Sequence, residues 1–428
     1  MKTSRRSFLK LAAAGSFASQ YAFTSGGAQI APLPGAPELG RPYPGWKPGE
    51  MDLHFIYTGC GESMFYMLPD GTLWVNDVGD SFRPHELQFI PRLPSAARLG
   101  AEWVERYIRR LTPKTHIDYM TVSHWHSDHT GTPLRRSREL PDGRRICGLA
   151  YIGEKFSVGH YFDHQPGAHG AYLTQDPQSM KMMEDYVAVA SATRGLRTDP
   201  FRPGALDQIR LQYDPEGKYA GVFKVRNLCA NGVAWTGHGE ETADYAAAWV
   251  KKTGKPKINQ NTLSMALRID YGKFSFYTGG DVSRELADPA TGKIINYEAL
   301  VAERCGPVTL AKLNHHGTKD AMTPECVKAL KASMYVNNVW CPRHIVDSNM
   351  SSMCSRTLYG GDRRYFPTFI PDEPRENWPK ADWWRDVAPA GHVVVKVAPG
   401  GGSFKVFVLS ASDETMRVKA AYESAPLA

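Results

Sequence analysis

His124, His126, Asp128 and His129 fall within six consecutive residues, His124-Trp125-His126-Ser127-Asp128-His129. Imidazole nitrogens and a carboxylate oxygen suit zinc or a similar borderline cation, held at about 2.0–2.2 Å. Packed this closely without a cation, partly protonated histidines would repel one another. A solitary histidine is usually structural; three with an aspartate at this spacing read as a metal site. On a loop, alternation turns His124 and His126 to one side, while Asp128 and His129 can face a second point. Two cations a few ångströms apart lower the pKa of a shared water from near 16 to about 7, giving a nucleophile at neutral pH. Asp128 is then both a ligand and the catalytic carboxylate. No G-x-S-x-G motif, phosphate-binding P-loop or C-x-x-C pair offers a competing chemistry.

The elements that must position this cluster can be read around it. A short apolar strand over 117–122 opens directly into the cluster, and layered α/β proteins place chemistry at such strand ends. Upstream lie a strand over 53–57, a turn at Gly59-Cys60-Gly61, a hairpin of 64–68 with 72–78 across Asp70-Gly71, and a helix over 95–111 with Leu99, Trp103, Tyr107, Ile108 and Leu111 at helical spacing. The stretch 135–257 reads as irregular, apart from a helix near 180–194 and a strand over 222–228. Strands over 262–269 and 273–278 then end on Gly279-Gly280-Asp281. A helix over 297–304 and a strand over 308–313 lead to His315-His316-Gly317. A helix over 324–332 and a strand over 334–338 lead to Trp340-Cys341-Pro342-Arg343-His344. A hairpin of 393–397 with 404–409 closes the pattern. Strand–strand–helix–strand runs on both sides of the middle predict one α/β domain of two stacked sheets with helices outside.

Residues 121–131 resemble the H-x-H-x-D-H signature of the metallo-β-lactamase superfamily. Residues 55–80, with Gly59-Cys60-Gly61-Glu62 and Asn76-Asp77-Val78-Gly79, resemble that fold's opening strands. Asn261-Thr262-Leu263-Ser264, Gly279-Gly280-Asp281 and Lys312-Leu313-Asn314-His315-His316-Gly317 resemble the branch containing the hydrolase domain of ComEC-like competence proteins. The resemblance implies a four-layer αββα sandwich of two stacked mixed sheets with outer helices, and two divalent ions, with Zn2+ the expected metal. It implies that His124 and His126 hold one ion, Asp128 and His129 the second, that Asp281 bridges them, and that one of His315 and His316 completes the second site. A helix N-cap is the competing role for Asp281. The superfamily usually supplies a further histidine to the first ion; His160, His164, His169 and His238 lie in the right interval. Glycine-flanked His238 has the best context, against an ordinary surface position. His344 is a candidate for substrate contact at the site mouth or a plain loop histidine, and His54, His85, His116 and His392 read as structural or surface residues.

The ComEC-like resemblance implies a phosphoester or phosphodiester substrate. Arg135, Arg136, Arg138, Arg144 and Arg145 follow the metal loop and could attract phosphate or form a solvated face. Hydrolysis of a lactam, lactone, amide or thioester suits the same centre, and a metal-loaded binding protein without turnover is a third reading. The net charge of +7 is spread along 428 residues, with no basic block or basic-aromatic pattern that predicts a stable nucleic-acid complex. Seven cysteines without pairing signals read as small buried apolar residues. Arg5-Arg6 ahead of an Ala-rich segment resembles a twin-arginine export signal over 1–30, implying the twin-arginine machinery as partner, a periplasmic or secreted location and no transmembrane anchor. A Pro/Gly-rich linker over 31–50, a hydrolase domain over 51–415 and a tail over 416–428 complete the expected organisation. Within the domain, the tryptophan-bearing segment 350–390 either covers the site or anchors a long loop.

Overall fold

Leu73, Trp74 and Val75 are all fully buried, yet they face different cores: Leu73 and Val75 pack on one side of their strand and Trp74 on the other. A strand buried on both faces belongs to a sheet covered on both faces, which is why its sequence is a continuous apolar run. The computed structural model describes residues 28–81, 89–163, 176–255 and 257–427. Among these, two large mixed sheets are present. The first runs, edge to edge, Ile30–Pro32, Val418–Ser424, Phe404–Leu409, His392–Val397, Met51–Phe55, Ser63–Met67, Leu73–Val78, His116–Thr121, Ser157–Asp163 and Arg197–Pro200. The second runs Thr242–Asp244, Val233–Trp235, Phe223–Ala230, Ala266–Tyr271, Phe274–Thr278, Leu310–Lys312, Met334–Asn337 and Arg364–Pro367.

Alternation along these strands builds three cores. Leu53, Phe55, Trp74 and Tyr119 of the first sheet meet Ile269, Phe276, Leu310 and Val336 of the second in a central layer. The first sheet's other face packs Val75, Ile117 and Met120 beneath helices Gly100–Leu111, Gly148–Lys155 and Pro177–Arg194. The second sheet's other face packs Tyr277, Ala311 and Tyr335 beneath Tyr297–Cys305, Pro324–Leu330 and Asp347–Met353. The result is the αββα layering expected from the sequence.

Three segments differ from their sequence reading. Ile30–Pro32, spanning the end of the expected signal and the start of the linker, and Val418–Ser424 of the tail are strands; they pair antiparallel, Ile30 opposite Ser424 and Pro32 opposite Tyr422. Pro32 is tolerated because its strand lies at a sheet edge. The middle is also less irregular than its polarity suggests. Ser157–Asp163 and Arg197–Pro200 add in parallel beyond His116–Thr121, a long-range pairing that local pattern does not encode. All seven cysteines are buried and unbridged. Among the described residues no helix is long and apolar enough to cross a membrane.

Candidate metal centre

The parallel strands His116–Thr121, Phe274–Thr278, Leu310–Lys312 and Met334–Asn337 deliver at their C-terminal ends the segments that carry His124 to His129, Asp281, His316 and His344. Residues Ser127–Thr130 form one helical turn, and its backbone is pressed against two glycines. A Cβ at Gly79 would lie 2.1 Å from the Asp128 carbonyl oxygen, and one at Gly61 2.3 Å from it. Only glycine permits that approach, which lets the Glu62 N–H donate to the Asp128 carbonyl at 2.8 Å.

Six predicted ligands converge. His124 Nε2 lies 3.0 Å from His126 Nδ1 and 3.7 Å from Asp281 Oδ2. His316 Nε2 lies 3.1 Å from Asp128 Oδ2, 3.2 Å from His129 Nε2 and 3.6 Å from Asp281 Oδ2. His129 Nε2 is 3.3 Å from Asp281 Oδ1. Donors of a tetrahedral site with bonds of 2.0–2.2 Å stand about 3.3–3.6 Å apart, and these separations bracket that value. Asp281 belongs to both groups, and its buried Oδ1 makes no hydrogen bond among the described residues, as expected of a ligand atom. These donors therefore fit divalent cations of the zinc type.

The electrostatics follow from burial and crowding. Burial, together with the charge of His129, holds His124 well below the usual histidine range. His129 goes the other way: burial disfavours its cation, but the carboxylates of Asp281, Asp128 and Asp77 outweigh that and raise it well above the usual range. Asp128 and Asp281 stay far below the usual carboxylate range, because His129 and His316 outweigh their burial. The site thus holds ionised carboxylates in a buried pocket that calls for positive charge.

His315 and His316 stand in different surroundings. Both adopt the left-handed conformation, with φ of 45° and 50°. His316 is buried among the donors. His315 is turned aside: its Nδ1 meets Asp320 Oδ1 at 2.8 Å and its Nε2 meets Asn261 Nδ2 at 3.0 Å, leaving Nε2 3.8 Å from Asp281.

His238 does not join the site. It is exposed on the turn between Val233–Trp235 and Thr242–Asp244, at the edge of the second sheet farthest from the strands that carry Asp281 and His316. Its flanking glycines mark that turn and nothing more. His160 also points elsewhere, with Nε2 2.7 Å from Asp199 Oδ2. His85, His164 and His169 lie outside the described residues. His344 is buried beside the centre, its ring parallel to that of His316. His54 and His392 are buried in the first sheet and linked to Tyr107 and the Tyr57 N–H.

Three residues beyond the predicted set complete the surroundings. Asp77 accepts from the Ser123 N–H at 2.7 Å through Oδ1, while its Oδ2 lies 3.0 Å from His129 Nδ1. That contact fixes a proton on Nδ1 and leaves Nε2 to face the other donors. Asp77 itself takes a φ of 55°, a left-handed conformation uncommon outside glycine. Glu62 and Lys312 form a fully buried ion pair against the same cluster.

No family model matches the chain, and no curated protein matches it. Solved structures overlap loosely, three among them as follows. One is described as a metal-dependent hydrolase from Parabacteroides distasonis, at 11% identity and TM-score 0.32, covering 73% of this chain and 91% of that one. Zn(2+)-bound PqqB from Methylobacterium extorquens is 9% identical with TM-score 0.35, covering 80% and 98%. A long form RNase Z from yeast is 10% identical with TM-score 0.35, covering 78% of this chain and 44% of that chain. The chain carries two stacked mixed sheets and a buried His/Asp/Glu cluster at their strand ends.

Proposed function

We propose that this chain is a metal-dependent hydrolase of the metallo-β-lactamase superfamily, acting with two zinc-type ions on a phosphoester or phosphodiester. The observation that carries the reading is the sharing of one buried carboxylate, Asp281, between two donor groups: His124 with His126, and His129 with His316 and the nearby Asp128. When bound, divalent cations there supply Lewis acidity toward a substrate oxygen and lower the pKa of water. The chain's part is to hold the donors in register. Asp77 keeps a proton on His129 Nδ1, and His316 faces Asp128 through Nε2. Burial of every donor excludes bulk water, which strengthens each electrostatic contact.

Support for an anionic ester comes from the sequence resemblance to the ComEC-like branch and from the net charge of +7. The arginines after the metal loop add less than their number suggests. Arg138 is spent on Glu102 through contacts of 2.8–3.0 Å, and Arg144 pairs with Asp142 and Glu154. That neutralisation favours keeping a second reading, hydrolysis of a lactam, lactone, amide or thioester. Export by the twin-arginine route, to the periplasm or beyond, is part of the same proposal and rests on Arg5-Arg6.

Turnover of bis-p-nitrophenyl phosphate, nitrocefin and a thioester by the zinc-loaded protein tests the function. Phosphodiester turnover that Asp128→Ala abolishes is the expected result. Acyl turnover alone selects the second reading, and no turnover of any substrate by protein with less than about one metal per chain overturns both.

A further inference from the structure

Glu62 stands close enough to the centre to be a ligand. One of its oxygens, with donor atoms of His129, Asp281 and His316, forms a set whose members all lie within 4.8 Å of one another. Yet both of its oxygens are taken: Lys312 Nζ donates to Oε1 at 2.9 Å and to Oε2 at 2.8 Å. The same ammonium donates to the Gly280 carbonyl at 2.8 Å, so the three protons of Lys312 are all placed. Both side chains are fully buried. Burying two charges is unfavourable unless every hydrogen-bonding position is filled, and replacing such a pair by apolar groups is often neutral or stabilising. An ion pair set against a metal-type donor cluster therefore calls for a role beyond stability.

The geometry supplies one. Glu62 Oε2 lies 3.4 Å from His316 Nδ1, a nitrogen that makes no hydrogen bond among the described residues, while His316 Nε2 faces Asp128, His129 and Asp281. A carboxylate on that side favours a proton on Nδ1 and a lone pair on Nε2. Lys312 meanwhile ties Glu62 to the carbonyl immediately before Asp281, the same oxygen that accepts from the His315 N–H at 3.1 Å. One cation thus joins the carboxylate behind His316 to the turn that presents Asp281.

We propose that Lys312 is a positioning residue: it holds Glu62 out of the coordination sphere, so that Glu62 orients His316 instead of binding metal. The proposal rests on the metal-centre reading above and assigns to Glu62 and Lys312 a division of labour that a purely structural pair would lack. With Lys312 removed, the Glu62 carboxylate is free to become an additional ligand.

Cobalt(II) absorption tests this, because the intensity of its visible d–d bands falls as coordination number rises. Lys312→Met loaded with Co2+ is expected to show weaker bands than the parent protein. The double variant Glu62→Gln with Lys312→Met removes the extra carboxylate and should regain the parent intensity. Unchanged bands in Lys312→Met, or a change that persists in the double variant, overturn the proposal. Should Lys312→Met fail to fold, Glu62→Gln alone decides. Weakened cobalt retention against a competing chelator, by about 10–100-fold, supports the orienting role, and undiminished retention in the folded variant overturns it. Parent protein that binds no cobalt refutes the metal centre itself, an outcome distinct from cobalt bound with identical spectra throughout.

Discussion

The imidazole of His344 stacks on that of His316, with centroids 4.7 Å apart and planes only 8° from parallel. His344 is itself held by the Trp340 N–H, which lies 3.3 Å from its Nδ1, and burial keeps it well below the usual histidine range. A neutral ring therefore backs a ring of the donor cluster. His344→Ala should weaken metal retention by about tenfold or more, in the range seen for groups that support ligands, while His344→Phe should retain metal nearly as well as the parent. Chelator competition with zinc measures both. Equal losses in the two variants would show that the stack is not what matters.

Asp77 reaches His129 from behind at 3.0 Å. Asp77→Ala should lower metal affinity by about 10–100-fold, and the loss should not add to that of His129→Ala, since both act through one imidazole. Additive effects in the double variant would argue against a shared path.

Removing metal should cost stability, because buried carboxylates lose a countercharge. An ion present at 100 times its Kd adds about 2.7 kcal/mol. Chelator-treated protein should therefore melt several degrees lower than the zinc-loaded form, and excess zinc should reverse the change. Identical melting curves would count against a resident cation.

Asp52 provides a pH test away from the metal. Burial, opposed in part by Lys396 and Tyr43, raises its pKa from 3.8 to about 6. The folded protein then holds this proton more tightly than the unfolded chain does. The group's favourable share is present below about pH 4, is lost as pH rises to about 6, and is flat beyond. At about 1.4 kcal/mol per unit, the span is at most about 3 kcal/mol. Urea unfolding of the parent minus Asp52→Asn should show that decline between pH 4 and 6. A pH-independent difference would rule it out.

Replacing Arg5-Arg6 by Lys-Lys should leave the protein in the cytoplasm of a host with a twin-arginine system. Cell fractionation reads the result, and undiminished export would remove that part of the proposal.

How much of this was legible depended on sequence distance. His124 to His129 declare themselves because their ligands are neighbours in the chain, and Asp281 and His316 because glycines flag the turns that carry them. The strands on either side were legible from alternation. The Glu62–Lys312 pair was not, since each stands in a separate local motif and only the fold brings residues 250 apart into one ion pair. Asp77 read as the end of a strand; its left-handed φ, which aims the carboxylate at His129, has no signal in the sequence. His238 misled for the opposite reason. Glycine on both sides marks a tight turn equally well at a catalytic mouth and at a sheet's far edge.

The pairing of Ile30–Pro32 with Val418–Ser424 carries a consequence for biogenesis. The strand at Ile30 finds its partner only once a segment far along the chain has been made, so this border of the sheet closes long after its first residues are synthesised. Until then one edge of Phe404–Leu409 awaits Val418–Ser424 as its partner. Without Val418–Ser424, Ile30–Pro32 has no strand to pair with, so this margin of the sheet stands or falls as one two-stranded seam.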